Sequence, residues 1–316
     1  MTGSRRVAVA INSTAGQGRA TRAGAALTAR LQAAGVQIVP VGGADAAQAA
    51  QSARAAVAAG VDALVVVGGD GTVHVGVNAI AGTPTPLGIV PAGTGNDVAR
   101  GLGLVVGDPA AAIGDLLTAL ESGAPRVVDA VRLEAGERLD GGDRWFAGVL
   151  GAGFDALVNE RANGWRWPRG QLRYDLAILR ELPVLRPRDY VLELDGEQWS
   201  TPAVMVVVAN SSSYGGGMRI CPDARMDDGL LDVLVVLPLS RTGFLRIYPK
   251  VYAGTHVGDP RVLVRRARRV TVAAQGIVAY ADGERMTALP VTCTAVPGAL
   301  SVLVPPRPDG VVGQPI

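Results

Sequence analysis

Lysine is almost absent from this sequence of 316 residues, in which Lys250 is the only one. A Walker-type phosphate-binding loop requires a Gly-Lys-Ser/Thr sequence, so that class of nucleotide site is excluded. Any nucleotide would have to be held by backbone amides, a metal ion and arginine. Aromatic residues are scarce as well, at 4% of a chain that is 48% hydrophobic. We therefore expect well-filled cores built from Ala, Val and Leu rather than from large rings.

Cysteine, net charge and long apolar runs are also limited. Cys221 and Cys293 lie far apart, and neither has a Cys or His partner at metal-ligand spacing, which predicts free thiols in a reducing cytoplasm. No apolar run approaches the ~20 residues of a membrane span, and the first residues lack a signal-peptide core. A net charge of +2 is too small to indicate a nucleic acid partner. We expect a soluble, cytoplasmic protein that binds no nucleic acid.

Two regions of different character divide the chain, in line with the ~150 residues typical of one domain. Residues 1–125 alternate strands and helices, which predicts an α/β domain with a doubly wound parallel sheet. Residues 126–291 are dominated by short strand-like runs between turns, which predicts an antiparallel β-sandwich with one helical insertion at 171–182. The main predicted strands are 7–11, 36–41, 61–67, 87–90, 127–133, 145–150, 190–194, 203–209, 231–237, 262–264, 270–274 and 278–280.

The most informative segment is Gly68-Gly69-Asp70-Gly71-Thr72, which follows a Val-rich strand and precedes a predicted helix. Backbone N–H groups at such a turn suit a phosphate, and glycine lets an anion approach where a Cβ would block it. Asp70 would repel a phosphate by itself, so a Mg²⁺ between the two, or a hydroxyl that the carboxylate polarises, would explain it. A lone Gly-Gly pair is as readily an ordinary turn between strand and helix.

A second segment, Pro91-Ala92-Gly93-Thr94-Gly95-Asn96-Asp97, also follows a strand and precedes a helix. Asp97 by itself fits a helix N-cap. Parallel strands deliver such turns to the same edge of the sheet, however. Two turns that each present an aspartate among glycines therefore fit a shared Mg²⁺–phosphate site.

The two segments together resemble the lipid kinase family that includes diacylglycerol, sphingosine and ceramide kinases, especially the soluble bacterial diacylglycerol kinases. NAD kinases and phosphofructokinases share the GGDGT turn but lack the second segment. The similarity continues through Asn210 and through 151–155 (Gly-Ala-Gly-Phe-Asp), 214–218 (Tyr-Gly-Gly-Gly-Met), 228–232 (Asp-Gly-Leu-Leu-Asp) and 282–284 (Asp-Gly-Glu). It implies a first domain that binds ATP and a β-rich second domain that holds the lipid head group. It also implies that a last strand, within 292–305, returns to the first domain, ahead of a tail at 306–316.

The resemblance also implies roles for individual residues. Asp282 would be the general base that takes the proton of the lipid hydroxyl, with Glu284 beside it, since phosphoryl transfer needs little beyond positioning, charge neutralisation and one proton acceptor. An Asp-Gly pair is also a common hairpin turn. The implied nucleotide contacts are Asn12 and the turn after it, Gly68, Gly69, Asp70, Gly71, Thr72, Gly93, Thr94, Asn96 and Arg100.

Two magnesium positions follow from the same resemblance. One lies at Asp70 and Asp97, and a structural second ion lies at Asp228, helped by backbone carbonyls near Arg225 and Leu230. The sequence alone would make 227–229 a turn. Two departures from the family pattern concern nucleotide affinity: no proline follows Asn12, and Val41 stands where the family has threonine.

Basic and aromatic residues cluster between 161 and 188. An enzyme whose substrate resides in a membrane needs such a patch, with arginine for anionic head groups and tryptophan for the interface. A solvated helix face with its tryptophans in the core is the alternative. Leu172, Leu176 and Leu179 share one face of the predicted helix. The cluster comprises Arg161, Trp165, Arg166, Trp167, Arg169, Arg173, Tyr174, Arg180, Arg186 and Arg188.

The sequence therefore predicts an ATP- and Mg²⁺-dependent lipid kinase that phosphorylates the hydroxyl of diacylglycerol or a related lipid. We expect it at the inner face of the membrane, peripherally associated with an anionic surface. An NAD kinase-like small-molecule kinase is one alternative, and a non-catalytic lipid- or nucleotide-binding relative is another. The acceptor lipid and the oligomeric state, including a homodimer, stay open. His74 and His256 are assigned no role.

Overall fold

Two β-sheets organise the protein, and helices cover the parallel part of one and one face of the other. The computed structural model describes residues 4–12, 15–135, 144–165, 167 and 171–305. Ser13, Thr14, Arg166, Arg169 and the predicted tail at 306–316 lie outside the described residues.

The strands follow the chain in this order: β1 (Arg6–Ile11), β2 (Gln37–Val41), β3 (Ala63–Gly68), β4 (Leu87–Pro91), β5 (Arg126–Ala135), β6 (Arg144–Phe146), β7 (Val149–Gly153), β8 (Arg188–Leu194), β9 (Glu197–Ala203), β10 (Met205–Ala209), β11 (Leu231–Val236), β12 (Val262–Ala267), β13 (Arg269–Ala273), β14 (Val278–Ala281), β15 (Glu284–Ala288) and β16 (Val291–Val302).

The helices are α1 (Arg19–Ala33), α2 (Ala46–Ala58), α3 (Asp70–Ile80), α4 (Asp97–Gly101), α5 (Pro109–Ser122), α6 (Phe154–Gly164), α7 (Gln171–Glu181), α8 (Arg241–Ile247) and α9 (Lys250–Ala253).

The N-terminal half is a parallel sheet in the order β2-β1-β3-β4. Its central strands read as unbroken apolar runs because both faces are covered, one by α1 and α5 and the other by α2 and α3. All six residues of β3 and all five of β4 are buried. Strands that run in the same direction end at the same edge, so their C-terminal turns lie side by side.

The C-terminal half is a sandwich of two antiparallel sheets. One layer contains β16, β13, β8 and β9 with β5 and β6, and the other follows the order β12-β11-β10-β7-β14-β15. Apolar residues from both layers interleave in a core that includes Phe146, Tyr190, Val206, Val233 and Val270. These two halves confirm the predicted fold class of a parallel α/β sheet followed by an antiparallel sandwich.

Strand β16 belongs to both halves. Most of it pairs antiparallel with β5 and β13, whereas Val302 pairs parallel with Leu87 of β4. The pairing of β16 with β5 shifts register between Val296 and Leu300, as at a β-bulge, and β16 thereby continues from the antiparallel part of the ten-stranded sheet into its parallel part. The last strand thus returns to the first sheet, as the resemblance implies.

Three sequence predictions about local structure are wrong. The single strand at 145–150 is two strands, because the amides of Ala147 and Gly148 donate to the Asp282 carboxylate instead of a neighbouring strand. The insertion is not one helix, since α6, α8 and α9 join α7. Strand β9 was not predicted because its sequence, Glu-Gln-Trp-Ser-Thr-Pro-Ala, is polar and contains Pro202. Such a strand is tolerated at a sheet edge, where β9 lies.

Candidate active site

The turns after β1, β3 and β4 meet at one edge of the parallel sheet. Gly69 and Gly93 touch through their backbones: a Cβ on Gly93 would lie 2.3 Å from the Gly69 Cα. Arg19, which follows the turn after β1, donates to the carbonyl of Gly93 at 3.1 Å and so links that region to the turn after β4. Glycine is required at the contact because a side chain on either residue would force the two turns apart.

The predicted nucleotide residues on this edge fall into two groups. Thr94 and Asn12 are exposed, and the Asn12 amide continues the sheet by donating to Val67. Asn96 is buried, and its side chain both accepts from the Gly93 amide and donates to the Gly93 carbonyl. The structure therefore gives Asn96 the task of shaping the turn, while Thr94 is exposed at the open edge.

Thr72 and Arg100 complete the described part of the phosphate edge. The Thr72 hydroxyl is buried and, among the described residues, has no hydrogen-bond partner. Arg100 donates to the carbonyl of Gly95 at 3.2 Å, and its Nε lies 4.0 Å from Asp97 Oδ1. An arginine placed there can contribute positive charge to a phosphate group bound at the turns.

Asp70 and Asp97 form a pair of partly buried carboxylates around Gly95. A Cβ on Gly95 would lie 2.6 Å from Asp70 Oδ2 and 3.2 Å from Asp97 Oδ2. Burial and then the nearby Asp97 charge raise the pKa of Asp70 to about 7, although the amide of Val98 partly offsets them. The pKa of Asp97 is also raised, chiefly by burial. Two carboxylates that disfavour each other's charge are relieved by a cation between them.

Asp97 also joins the two halves of the molecule. Its two oxygens accept from the amides of Gly216 and Gly217 at 2.7 and 2.8 Å. Both glycines have positive φ, a conformation that glycine adopts without strain. The Tyr-Gly-Gly-Gly-Met segment thus presents successive amides to the carboxylate of the first domain.

Asp282 is held rigidly at the turn between β14 and β15. Its carboxylate accepts from the amides of Ala147, Gly148 and Val149 at 3.0 to 3.1 Å. A carboxylate has about four acceptor sites, so these three donors leave capacity for a further one. The side chain is 2% exposed and lines the same cavity as Asp70 and Asp97. Sequence reasoning predicted this residue, and the structure brings it together with the carboxylate pair.

Glu284 and His74 complete the surroundings of Asp282. A Cβ on Gly71 would lie 2.5 Å from Glu284 Oε1, so this carboxylate overhangs the GGDGT turn. His74 Nδ1 lies 3.9 Å from Asp282 Oδ2, and its Nε2 is 3.2 Å from the Asn78 amide nitrogen. Sequence reasoning missed His74, although its place one helical turn after Asp70 puts both on one face of α3.

The residues at Asp70 and Asp97 fit a magnesium ion. Mg²⁺ is commonly held by one or two carboxylates together with substrate phosphates, and the oxygens of both carboxylates converge on Gly95 beside the phosphate turns. No cluster of three or more His, Cys, Asp or Glu able to hold a metal occurs in the part of the chain that the structure describes. A divalent ion at this pair would therefore depend on phosphate oxygens for its remaining ligands.

At the predicted second magnesium position, the Asp228 carboxylate is paired with an arginine. The Arg266 guanidinium pairs with Asp228 and lies 3.5 Å from Asp232. The Leu230 amide donates to the other Asp228 oxygen at 3.1 Å, and Arg225 pairs with Asp227 instead. Arg266 therefore supplies positive charge where the resemblance implies a metal, and the part played by the Arg225 and Leu230 carbonyls stays a prediction. Sequence reasoning could not find this pairing because β12 supplies Arg266 from across the sheet.

A cavity of about 310 Å³ runs from the carboxylates into the second domain. At its mouth lie Asp70, Asp97 and Asp282, and its interior is mostly apolar. The interior side chains come from β10 and β11, from the segment between them and from the covering helices: Phe154, Val158, Ile178, Met205, Met218, Ile220, Val236, Leu239, Phe244, Ile247 and Val251.

Asp155 is a further buried carboxylate that lines the cavity. Neither of its oxygens has a well-formed hydrogen bond among the described residues. Burial raises its pKa to about 7, and the nearby Ala156 amide offsets this only in part. Sequence reasoning quoted Asp155 within a motif without a role, because its burial depends on how α6 packs over β7.

Comparison with known proteins agrees with this arrangement. A model of the diacylglycerol kinase catalytic domain matches residues 6–133, and a model of the YegS C-terminal NAD kinase beta sandwich-like domain matches residues 148–304. The chain is 43% identical to a diacylglycerol kinase of Mycobacterium tuberculosis over 301 residues, which cover 95% of each protein. It is 28% identical to a diacylglycerol kinase of Bacillus subtilis over 78% of each.

Solved structures share the fold. A diacylglycerol kinase from Bacillus anthracis superposes with a TM-score of 0.68 at 21% identity, covering 97% of this chain and 99% of that one. Yeast NADH kinase superposes with a TM-score of 0.54 at 12% identity, covering 95% and 82%. At these identities the likeness concerns the fold alone.

Proposed function

The chain belongs to the family of bacterial diacylglycerol kinases and YegS-like lipid kinases, and we propose that it transfers the γ-phosphoryl group of ATP to the hydroxyl of diacylglycerol or a closely related lipid. One observation carries the proposal beyond the family: the cavity that begins at Asp70, Asp97 and Asp282 continues into an apolar interior. A hydroxyl at the mouth would meet the carboxylates while its apolar chains occupy the interior.

The donor side of the reaction lies on the first domain. Backbone amides at the GGDGT turn and beside Gly93 and Thr94 suit the phosphates of ATP, and Arg100 adds positive charge. Magnesium held at Asp70 and Asp97 would neutralise charge on the phosphate groups. The convergence of both carboxylates on Gly95, next to the phosphate turns, supports this role.

The acceptor side lies on the second domain. We assign Asp282 as the general base, because its three amide donors fix its position at the cavity mouth and leave capacity for a substrate hydroxyl. Glu284 lies over Gly71, between this base and the phosphate turn. The two domains face each other across the cavity, as transfer between a nucleotide and a lipid requires.

The cavity also weighs against the main alternative, an NAD kinase-like activity. A nicotinamide nucleotide is polar and charged along most of its length, and its phosphates and riboses would need donors throughout the site. The described interior offers Met205, Met218, Phe244, Ile247 and similar side chains instead. Apolar walls favour acyl chains, because each buried CH₂ contributes about 0.8 kcal/mol.

The test is a phosphotransfer assay with radiolabelled ATP and a panel of acceptors. The panel holds diacylglycerol, monoacylglycerol, sphingosine and ceramide in mixed micelles, and NAD in solution. We expect label in a diacylglycerol-type lipid and none in NAD.

Two substitutions test the assigned residues in the same assay. Asp70→Ala should abolish transfer while the protein stays folded. Asp282→Asn should lower turnover by roughly 10²–10⁴, the loss expected for a positioned base, with ATP affinity nearly unchanged.

Glu121→Gln is the matched control, since Glu121 is an exposed carboxylate on α5 that does not line the cavity. Label in NAD alone would refute the proposed substrate. If Asp282→Asn lost ATP binding together with turnover, Asp282 would belong to the nucleotide site. Undiminished turnover in that variant would remove its assignment as the base.

A further inference from the structure

Helix α7 carries apolar residues on two opposite faces. With 3.6 residues per turn, Leu172, Leu176 and Leu179 fall within about 60° of one another, and Ala177 and Ile178 lie on the other side. The inner pair is buried. The three leucines are exposed by 55%, 37% and 56% respectively. A helix that only covers a core would carry polar residues on its outer face.

The inner face of α7 closes the proposed lipid cavity. Ala177 and Ile178 pack against Phe154, Val158 and Ala162 of α6, and Arg173, Tyr174 and Ile178 line the cavity. This short helix is therefore a single layer between the cavity and the outside, next to the reaction centre.

The charges around the leucine face are predominantly positive. Both acidic residues of α7 are engaged: Asp175 accepts from the hydroxyl of Tyr248, and Glu181 pairs with Arg161. Arg180 and Arg186 are exposed, and no ion pair among the described residues involves them. Trp167, just before the helix, is 80% exposed, and tryptophan is enriched at membrane interfaces.

We propose that the outer face of α7, formed by Leu172, Leu176 and Leu179, docks on a bilayer that carries anionic head groups. The leucines enter the boundary between head groups and acyl chains, while Arg180 and Arg186 meet the head groups. The proposal rests on the proposed function, because it explains how a lipid in a membrane reaches a cavity on the other side of the same helix. Among the described residues no helix is both long and apolar enough to cross a membrane, so the contact is a surface one.

A second copy of the chain could also cover the leucines, but the observations favour the bilayer. A self-contact would gather Arg180 and Arg186 of both copies around one interface, where an excess of like charge is unfavourable. Anionic lipid satisfies both the leucines and the arginines.

The test uses large unilamellar vesicles of phosphatidylcholine, with and without an equal share of phosphatidylglycerol. The variant is the triple change Leu172→Gln, Leu176→Gln and Leu179→Gln, which keeps good helix formers in the helix. We expect the unmodified chain to sediment with the anionic vesicles at low salt and the variant to bind more than about tenfold more weakly. The triple change to methionine, which keeps the apolar face, should retain binding. Val127→Thr and Val264→Thr, exposed positions on β5 and β12, serve as a control.

Activity assays separate this proposal from the proposed function. A long-chain diacylglycerol in the vesicles should be phosphorylated more than about tenfold more slowly by the glutamine variant, whereas a short-chain diacylglycerol supplied as monomers should react as with the unmodified chain. If the unmodified chain phosphorylates neither lipid, the proposed function fails. Whether the leucine face binds a bilayer is then judged from vesicle sedimentation alone. Unchanged sedimentation of the glutamine variant overturns the docking surface. So does light scattering that shows a dimer broken by the same change, because the leucines would then belong to a contact between copies.

Discussion

Asp155 shows at the scale of one residue how a buried carboxylate makes stability depend on pH. Its pKa is raised from 3.8 to about 7, mainly by burial. Between these values the folded chain keeps a proton that the unfolded chain releases, so the free energy of unfolding must fall as pH rises through the window. Each unit by which a pKa differs between the two states is worth about 1.4 kcal/mol.

We therefore predict that Asp155→Asn flattens the pH dependence of stability between about pH 4 and about pH 7. Urea denaturation at the two ends of the window measures it. The same experiment on Asp70→Asn isolates the contribution of Asp70, whose pKa is raised in the same direction. An unchanged slope in Asp155→Asn would show that the Asp155 carboxyl has access to water or to a hydrogen-bond donor.

Single residues also show where sequence reasoning about the site ends. Asp70 and Asp97 could be found because each stands among glycines after a predicted strand, and Asp282 because its Asp-Gly-Glu segment resembles that of the lipid kinase family. His74 and Arg266 could not be assigned in the same way, since their partners come from other strands and helices. The Asn96 side chain was predicted at the nucleotide, yet its hydrogen bonds to Gly93 are internal to the turn. Chemistry encoded by a local motif is readable, whereas a pairing that needs the tertiary fold is not.

Between strands β11 and β12, an arginine occupies the position where the family resemblance implies a metal ion. Arg266 on β12 pairs with Asp228 and lies 3.5 Å from the buried Asp232 on β11. Burial raises the pKa of Asp232, and the Arg266 charge counteracts it. An arginine between two carboxylates removes most of the electrostatic reason for a divalent ion at this corner.

We predict that Arg266→Gln lowers the free energy of unfolding by about 1–3 kcal/mol, because it leaves two carboxylates close together and one of them buried. Arg265→Gln is the control, because the guanidinium of Arg265, next to Arg266 in sequence, stacks on the Trp199 ring at 4.5 Å instead of pairing with Asp228.

A second comparison measures magnesium binding at Asp228. It is made in an Asp70→Ala background, which removes the other predicted cation site. In that background, magnesium should raise the melting temperature of the Arg266→Gln variant and leave that of the protein with Arg266 intact unchanged. If a chelator lowered the melting temperature of the protein with Arg266 intact, a metal would be bound at Asp228 after all.

The helices of the second domain mark the limit of element prediction. Helix α7 was predicted from its leucines, but those leucines face outward, because Ala177 and Ile178 on the opposite side make the contact with α6. Periodicity identifies the helix without saying which of two apolar faces is buried. Helix α6 was missed although Phe154, Val158 and Ala162 recur every four residues, because Gly and Val runs before it dominated the strand pattern.

At the scale of the whole molecule, the sequence allowed the order of the two halves to be predicted, but not how tightly they are joined. The alternation of strands and helices is enough for the parallel sheet, and short separated runs are enough for the sandwich. The cavity that carries the proposed function depends on both halves, because Asp70 and Asp97 come from one and Asp282 from the other. Asp97 and the amides of Gly216 and Gly217 add a direct bond across the junction.

Strand β16 makes the two halves one folding unit, which gives a prediction for the whole chain. It pairs with β5 and β13 inside the sandwich and with β4 at the edge of the parallel sheet. A chain that ends at Pro290 would leave β4 with an open edge and remove an interior strand of the sandwich, exposing the residues that pack beside that strand, such as Val131, Leu133 and Val270, which are buried in the intact fold. We expect this chain to lose cooperative thermal unfolding and protease resistance in both halves, whereas a chain that ends at Pro305 keeps a single transition. Circular dichroism and limited proteolysis distinguish the two. A stable fragment covering residues 1–125 from the shorter chain would show instead that the parallel sheet folds without its borrowed strand.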